Sequence, residues 1–329
     1  MRALPELLIL SGLLIASSAA CGDSGGGGGT DPEIDAGEEI EPVAPTTVTM
    51  VTSGGFEGPM DVVSSPDGKT FYFTAHDTTG AVEGESSAAI YKVDAAGGTP
   101  EILAGGTPLE DPSGMVISCD GATLYVADLG TQSAEADAEQ SPIYTARTSG
   151  GALATFSATG VGEAAGLAMS TDCSTVYVSG YKPDGTPAVF TVPAAGGAAT
   201  VLKEGSPLQS PSGIHVDADN VAWVMDHQDA ELGGALFAIT VTGEATVVAS
   251  NLNISEPAGV SLVAGGRIAV IPVRDLDGAS QLMTIDTVSG DETIVEVPEM
   301  IEPAGIRTAT QAPVMAVVDA DGDAIYRAE

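Results

Sequence analysis

The stretch PSGMVISCDGATLYVAD, Pro112 to Asp128, decides the fold. An apolar run, Met115-Val116-Ile117, leads into an Asp120-Gly121 turn, and a second run, Leu124-Tyr125-Val126, follows it. Asp-Gly suits the positive φ angles of a tight hairpin, and aromatic and β-branched residues favour strands. The stretch therefore reads as two antiparallel strands. Beyond it, IYTART (from Ile143) and ALATFSA (from Ala152), separated by Gly150-Gly151, add two more.

The unit recurs. Gly114 of PSGMVIS has counterparts at Gly166 in AAGLAMS, Gly213 in PSGIHVD, Gly259 in PAGVSLV and Gly305 in PAGIRTA. A further copy, PMDVVSS, carries Asp61 in that place. From Asp61 onward the steps are 53, 52, 47, 46 and 46 residues. Four short strands per repeat at this period indicate propeller blades. A parallel β-helix would need shorter coils and would lack the regular hairpin turns. No long stretch of helical periodicity follows the leader, and 42 glycines fit an all-β chain. The expectation is a six-bladed β-propeller of four-stranded blades over residues 46–329. The last copy supplies only three strands, GIRTAT, VMAVVD and AIYRAE. The β-rich segment TTVTMVT, Thr46 to Thr52, is expected to supply the fourth and close the ring.

With SPDG at Ser65–Gly68 and the YVAD ending at Asp128, the repeat resembles six-bladed propellers of the senescence marker protein/gluconolactonase and NHL-like group. The resemblance spans Thr46 to Glu329. Lactonases of that group hold a divalent metal through Glu, Asn and Asp just before a small residue of the first strands. Here those positions include Met60, Ala165 and Ser212, none of which replaces such a ligand. Glu57-Gly58-Pro59 looks like the group's first ligand motif. Aligning Tyr72 with Tyr125 and Tyr177 places it three residues too early. The resemblance thus implies the fold, and it leaves a metal-dependent, lactonase-like hydrolase with a rearranged channel site as the alternative function.

Residues 1–20 read as a bacterial lipoprotein signal peptide. Leu7 to Ala16 is almost wholly apolar but too short to span a bilayer, and Ser17-Ser18-Ala19-Ala20 precede Cys21. This ending resembles a lipobox, which makes Cys21 the lipidation site; ordinary secretory cleavage nearby is the rival reading. Residues 21–45, Gly-rich and acidic with no Lys or Arg, read as a flexible tether. Gly22 after the cysteine favours the outer membrane, facing the periplasm or the cell surface. The expected location is the bacterial cell envelope, with the lipid anchor as the contact with membrane.

Cys119 and Cys173 fall in equivalent turns of neighbouring repeats. In an oxidising compartment they either form a disulfide or stay as two thiols.

Ten Lys plus Arg against 46 Asp plus Glu gives a net charge of −36, which excludes nucleic acid as a partner. The partner is instead an unidentified small molecule or envelope protein. On the channel face the candidate ligand-binding residues are His76, His215, Asp226, His227 and Arg274. Imidazoles beside carboxylates bind metals or move protons. The hydrolase reading would use His76, Asp226 and His227. Aspartates ending second strands, among them Asp128, Asp226 and Asp319, are also expected to cap loops. Asp319-Ala320-Asp321-Gly322-Asp323 and Asp275-Leu276-Asp277-Gly278 resemble the start of a Ca²⁺ loop, without its distal Glu. Both also suit plain hairpin turns. No nucleophile motif is present, so the preferred reading is a ligand-binding or protein-interaction module rather than an enzyme.

Overall fold

The computed structural model describes residues 44–130, 142–228, 233–275, 277–297 and 300–329. The leader, Cys21 and the tether as far as residue 43 lie outside them. The described residues form six antiparallel four-stranded blades. Blade one is built from Val62–Ser64, Thr70–Asp77, Ala88–Asp94 and Glu101–Gly105. Blade two follows with Pro112–Ile117, Thr123–Asp128, Ile143–Arg147 and Ala154–Phe156. Blade three comprises Glu163–Met169, Thr175–Tyr181, Pro187–Pro193 and Thr200–Glu204. Blade four comprises Pro211–Val216, Ala222–Asp226, Gly234–Ile239 and Ala245–Leu252. Blade five has Ser261–Val263, Ile268–Arg274, Ser280–Asp286 and Glu292–Glu296. Blade six has Pro303–Thr308, Met315–Asp319 and Ala324–Ala328, and its outer strand is Val48–Ser53.

That outer strand closes the ring as expected. Val48 pairs with Ala328 and Ser53 with Ala324. Beyond the ladder, the Thr46 and Thr47 amides donate to the Glu329 carbonyl at 2.8 and 3.0 Å. The first and last segments of the propeller thus satisfy each other's backbone, which would otherwise be an open edge.

The residue after each anchor is apolar and 0% exposed in all six blades: Val62, Met115, Leu167, Ile214, Val260 and Ile306. Alternation along the strands places apolar side chains on both faces of every blade, so each seam between neighbours buries its own cluster. Val116 and Tyr125 of blade two pack with Leu167 and Val178 of blade three. Trp223 of blade four packs with Val260 and Ala269 of blade five, and its Nε1–H donates to Asp217 Oδ2 at 2.9 Å. The core is a ring of seams rather than one central mass.

The anchor glycines explain how tightly the ring closes. A Cβ on Gly114 would stand 2.4 Å from the Ala165 carbonyl oxygen, and one on Gly213 would stand 2.1 Å from that of Ala258. Inner strands meet backbone to backbone around the axis, a spacing that excludes any side chain. On the face formed by the turns between first and second strands, Cys119 and Cys173 are bonded, with Cα atoms 5.9 Å apart. That separation lies in the usual range for a disulfide. Among the described residues no helix is long and apolar enough to cross a membrane.

Candidate functional site

Two layers define the axis. At the level of the anchors, Asp61 replaces glycine and points its carboxylate into the centre. Its Oδ2 accepts the Met115 amide of blade two at 2.9 Å, and its Oδ1 accepts the Val62 amide at 2.9 Å. Two residues past the anchors stand Val63, Val116 and Ala168 in blades one to three, then His215, Ser261 and Arg307 in blades four to six. One half of this layer is apolar and the other polar. Arg307 crosses the axis: Nη1 donates to Val260 O at 2.9 Å and Nη2 to Leu167 O, in blade three, at 3.0 Å. Nη2 also lies 3.7 Å from Asp61 Oδ2. The cavity left among Asp61, Arg307 and the glycines is about 10 Å³, room for about one water. At this level Asp61 and Arg307 plug the axis.

Burial raises the Asp61 carboxyl above its ordinary range, against the pull of the Arg307 charge and of the Met115 and Val62 amides. His215 is pulled down to about 3, by burial first and then by Arg307. Its imidazole is therefore neutral at neutral pH. His215 pairs with Trp223, towards the face away from the channel mouth, and keeps part of its surface open although it sits deep in the body. It is thus set apart from the other two histidines.

The mouth lies where second strands end and loops enter the inner strands. In blades two, four and six the second strand ends in an aspartate paired with the first residue of the inner strand: Asp128 with Pro112, Asp226 with Pro211, Asp319 with Pro303. Each carboxylate clamps the incoming loop. Asp128 accepts the Glu110 and Asp111 amides at 2.8 and 3.1 Å. Asp226 accepts those of Gln209 and Ser210 at 3.0 and 3.1 Å. Asp319 accepts those of Ile301 and Glu302 at 2.9 and 2.7 Å. Blades one, three and five carry Ala75, Gly180 and Val273 at this register and extend the second strand further.

The next register position is the informative one. Around the mouth it reads His76, Leu129, Tyr181, His227, Arg274 and Ala320 in blades one to six. His76, His227 and Arg274, chosen from the sequence as separate residues, thus share one repeat position; Tyr181 belongs with them and was missed. Its signal was available: Tyr181 follows VYVSG as Arg274 follows AVIPV. His76 Nδ1 lies 3.2 Å from Ser87 Oγ, and Tyr181 OH donates to Ser210 Oγ at 3.0 Å. Asp111, beside His76, is raised by burial and by Asp128, while His76 pulls it down. Arg274 Nη2 lies 3.6 Å from Glu302 Oε1. Glu302 is raised by burial first and then by Asp321, against Arg274 and Ser255.

The residues considered for metal are held in other ways. Asp275 Oδ1 accepts the Asp277 and Ala279 amides at 2.9 and 2.8 Å, closing a hairpin turn. Asp323 Oδ1 accepts the Gly58 amide at 2.8 Å and ties blade six to the strand entering blade one. Asp319 is occupied by backbone amides, and Asp321 is exposed. Among the described residues no three His, Cys, Asp or Glu side chains are grouped to hold a metal ion. Just before the anchors stand Met60, Ser113, Ala165, Ser212, Ala258 and Ala304, which offer no carboxylate. Glu57 lies in a two-residue strand, Phe56–Glu57, opposite His76 rather than on an inner strand. The donor set of a lactonase metal centre does not fit this channel.

No family model matches the chain, and no curated protein does. Solved structures do. A provisionally assigned gluconolactonase is 14% identical, with 86% of this chain and 91% of that one covered and a TM-score of 0.58. A protein of unknown function from Bacteroides thetaiotaomicron is 13% identical over 86% of this chain and 72% of its own, with a TM-score of 0.60. TolB from Acinetobacter baumannii is 16% identical over 73% of this chain and 55% of TolB, with a TM-score of 0.55. At such identities the likeness establishes the propeller fold and nothing finer.

Proposed function

We propose that this chain is a lipid-anchored propeller of the bacterial cell envelope whose channel mouth binds a small molecule or a partner protein. The observation that carries this reading is the mouth register itself. One repeat position gathers His76, Tyr181, His227 and Arg274 above an axis plugged by Asp61 and Arg307. Polar, hydrogen-bonding side chains at one end of a closed ring suit recognition. The absence of a fitting carboxylate set at the inner strands counts against lactonase-type chemistry. Anchoring through Cys21, with residues 21–45 between the lipid and the propeller, would keep the propeller at the membrane. The strong negative charge keeps the domain soluble beside an anionic bilayer and disfavours direct lipid contact.

The test has two parts. Metabolic labelling with a radioactive fatty acid should mark the wild type and not Cys21→Ser; label on neither removes the anchor. Partner retention by envelope cross-linking should be lost when His76, Tyr181, His227 and Arg274 are changed together to alanine, with melting temperature kept. Unchanged retention removes the mouth as the binding face. A melting shift with Ca²⁺, Mg²⁺ or Zn²⁺ that vanishes in His76→Ala or His227→Ala would instead favour the metal-dependent hydrolase.

A further inference from the structure

The turns between first and second strands share one design in blades one to four. They read Ser65-Pro66-Asp67-Gly68, Ser118-Cys119-Asp120-Gly121, Ser170-Thr171-Asp172-Cys173 and Asp217-Ala218-Asp219-Asn220. In each, the fourth amide donates to the first carbonyl, at 2.9, 2.8, 2.9 and 3.1 Å. The fourth residue takes a left-handed φ: 74° at Gly68, 70° at Gly121, 65° at Cys173 and 59° at Asn220. Glycine and asparagine suit that conformation, and cysteine does not. Cys173 thus occupies a glycine position, and what its side chain adds there is the bond to Cys119.

The two sulfurs are not equivalent, because one stands second in its turn and the other fourth. Cys173 is exposed and Cys119 half-buried. Cys119 Sγ rests 3.9 Å from Ser170 O in a part-buried contact, whereas Cys173 Sγ lies 3.6 Å from Thr171 O at the surface. A freed Cys119 thiol therefore has a carbonyl to receive its S–H. The seam between blades two and three does not rest on the bond alone. Tyr125 OH donates to Ala194 O at 3.2 Å, and the Gly197 amide to Ser157 O at 2.8 Å.

The surroundings are anionic. Hydrogen bonds from the Ser118 hydroxyl and the Ala122 amide hold Asp120 below the ordinary carboxylate range. Those from the Ser170 hydroxyl and the Ser174 amide do the same to Asp172. Each sulfur therefore has an ionised carboxylate as its neighbour in the chain. Between Lys92 and Lys182 the sequence carries a single Lys or Arg, Arg147.

We propose that the Cys119–Cys173 bond is a thiol-exchange site on the face opposite the mouth, where the thiolate of a cationic small molecule, an aminothiol, attacks Cys173 Sγ. The incoming sulfur bonds to Cys173 Sγ, the bond to Cys119 breaks, and its electron pair leaves on Cys119 Sγ, which takes a proton from water. One disulfide and one thiol become one disulfide and one thiol, with no net oxidation. Cys119, its Cα 5.9 Å from that of Cys173, stays in place to attack the mixed disulfide and expel the aminothiol. The modification is reversible, and the seam contacts hold the two blades while it lasts. The ammonium group is selected because the carboxylates attract it and repel an anionic thiol.

The test treats the full chain, with Cys21 first blocked by iodoacetamide, with cysteamine and separately with mercaptoethanesulfonate at equal thiolate concentration. Excess N-ethylmaleimide stops the reaction, and mass spectrometry maps the peptides. The expected product carries cysteamine on Cys173 and maleimide on Cys119. Cysteamine should react roughly tenfold faster than the sulfonate at low ionic strength, and added salt should narrow the gap. Asp172→Asn should narrow it too, with Asp120→Asn as the second variant if the first does not fold. An adduct mainly on Cys119, equal rates at low salt, or no exchange in a protein that circular dichroism shows folded overturns the proposal. So does reaction of Cys119 or Cys173 with maleimide before any thiol is added.

Discussion

Asp61 Oδ2 and Arg307 Nη2 face each other at 3.7 Å across the seam between blades one and six, where the ring closes. Asp61 also reaches blade two through the Met115 amide, and Arg307 reaches blade three through the Leu167 carbonyl. The pair therefore ties the closing seam to the far side of the ring. It also enforces a glycine, since a Cβ on Gly305 would stand 2.5 Å from Asp61 Oδ1.

Removing one member of a buried ion pair strands the other. Asp61→Asn should cost about 3–5 kcal/mol in urea unfolding. The pH dependence adds a sign. Asp61 is raised above 3.8, so the folded state holds the proton more tightly than the unfolded chain. Its contribution is fully present below 3.8 and declines as pH rises through the folded value. The stability margin of wild type over Asp61→Asn should therefore shrink with rising pH in that window. A margin that grows instead would show that Arg307 outweighs burial.

Gly213→Ala tests the backbone contact at the axis. The added methyl would meet the Ala258 carbonyl at 2.1 Å, and backbone cannot swing aside as a side chain can. Overpacking of this kind costs about 1–3 kcal/mol. Gly185 serves as the comparison, with a φ of 78° and open space around it. Gly185→Ala should cost about 1 kcal/mol, from backbone conformation alone. Equal losses in thermal melts would mean that the inner strands sit further apart than described.

The Cys119–Cys173 bond spans 54 residues and joins blades two and three. Closing a loop of that length stabilises by about 4 kcal/mol in the chain-entropy account. Cys119→Ser with Cys173→Ser should lower the urea midpoint by a matching amount, and reductant should do the same to wild type only. An identical midpoint in both proteins would show that the bond does not form.

Deleting residues 46–52 removes most of the outer strand of blade six. Val318, Ile325 and the Glu329 carbonyl then lose their cover, and Ala324–Ala328 becomes an open edge. The truncated protein should lose cooperative unfolding and aggregate, as read by light scattering during a melt. A cooperative, monomeric transition would show that closure is dispensable.

Much of this molecule was legible in the chain because propellers write their fold in local terms. Each blade needs its own turn residues, its alternating strands and one glycine where inner strands touch, and each leaves a mark at a fixed period. Even the closing strand could be found by noting that the last repeat lacks its fourth. The His76, His227 and Arg274 positions were visible as polar residues after second strands, but their common register required the pairing of each blade. The axial plug was not legible. Asp61 stood out as the one anchor that is not glycine, yet only the closed ring brings it within reach of Arg307, which lies far away in sequence. Likewise His215 was legible as a first-strand residue of blade four, but only the strand pairing, opposite Trp223, puts it towards the face away from His76 and His227. Local chemistry fixed the blades; the meeting of residues from different blades at one axis and one mouth was decided by closure, which no single repeat encodes.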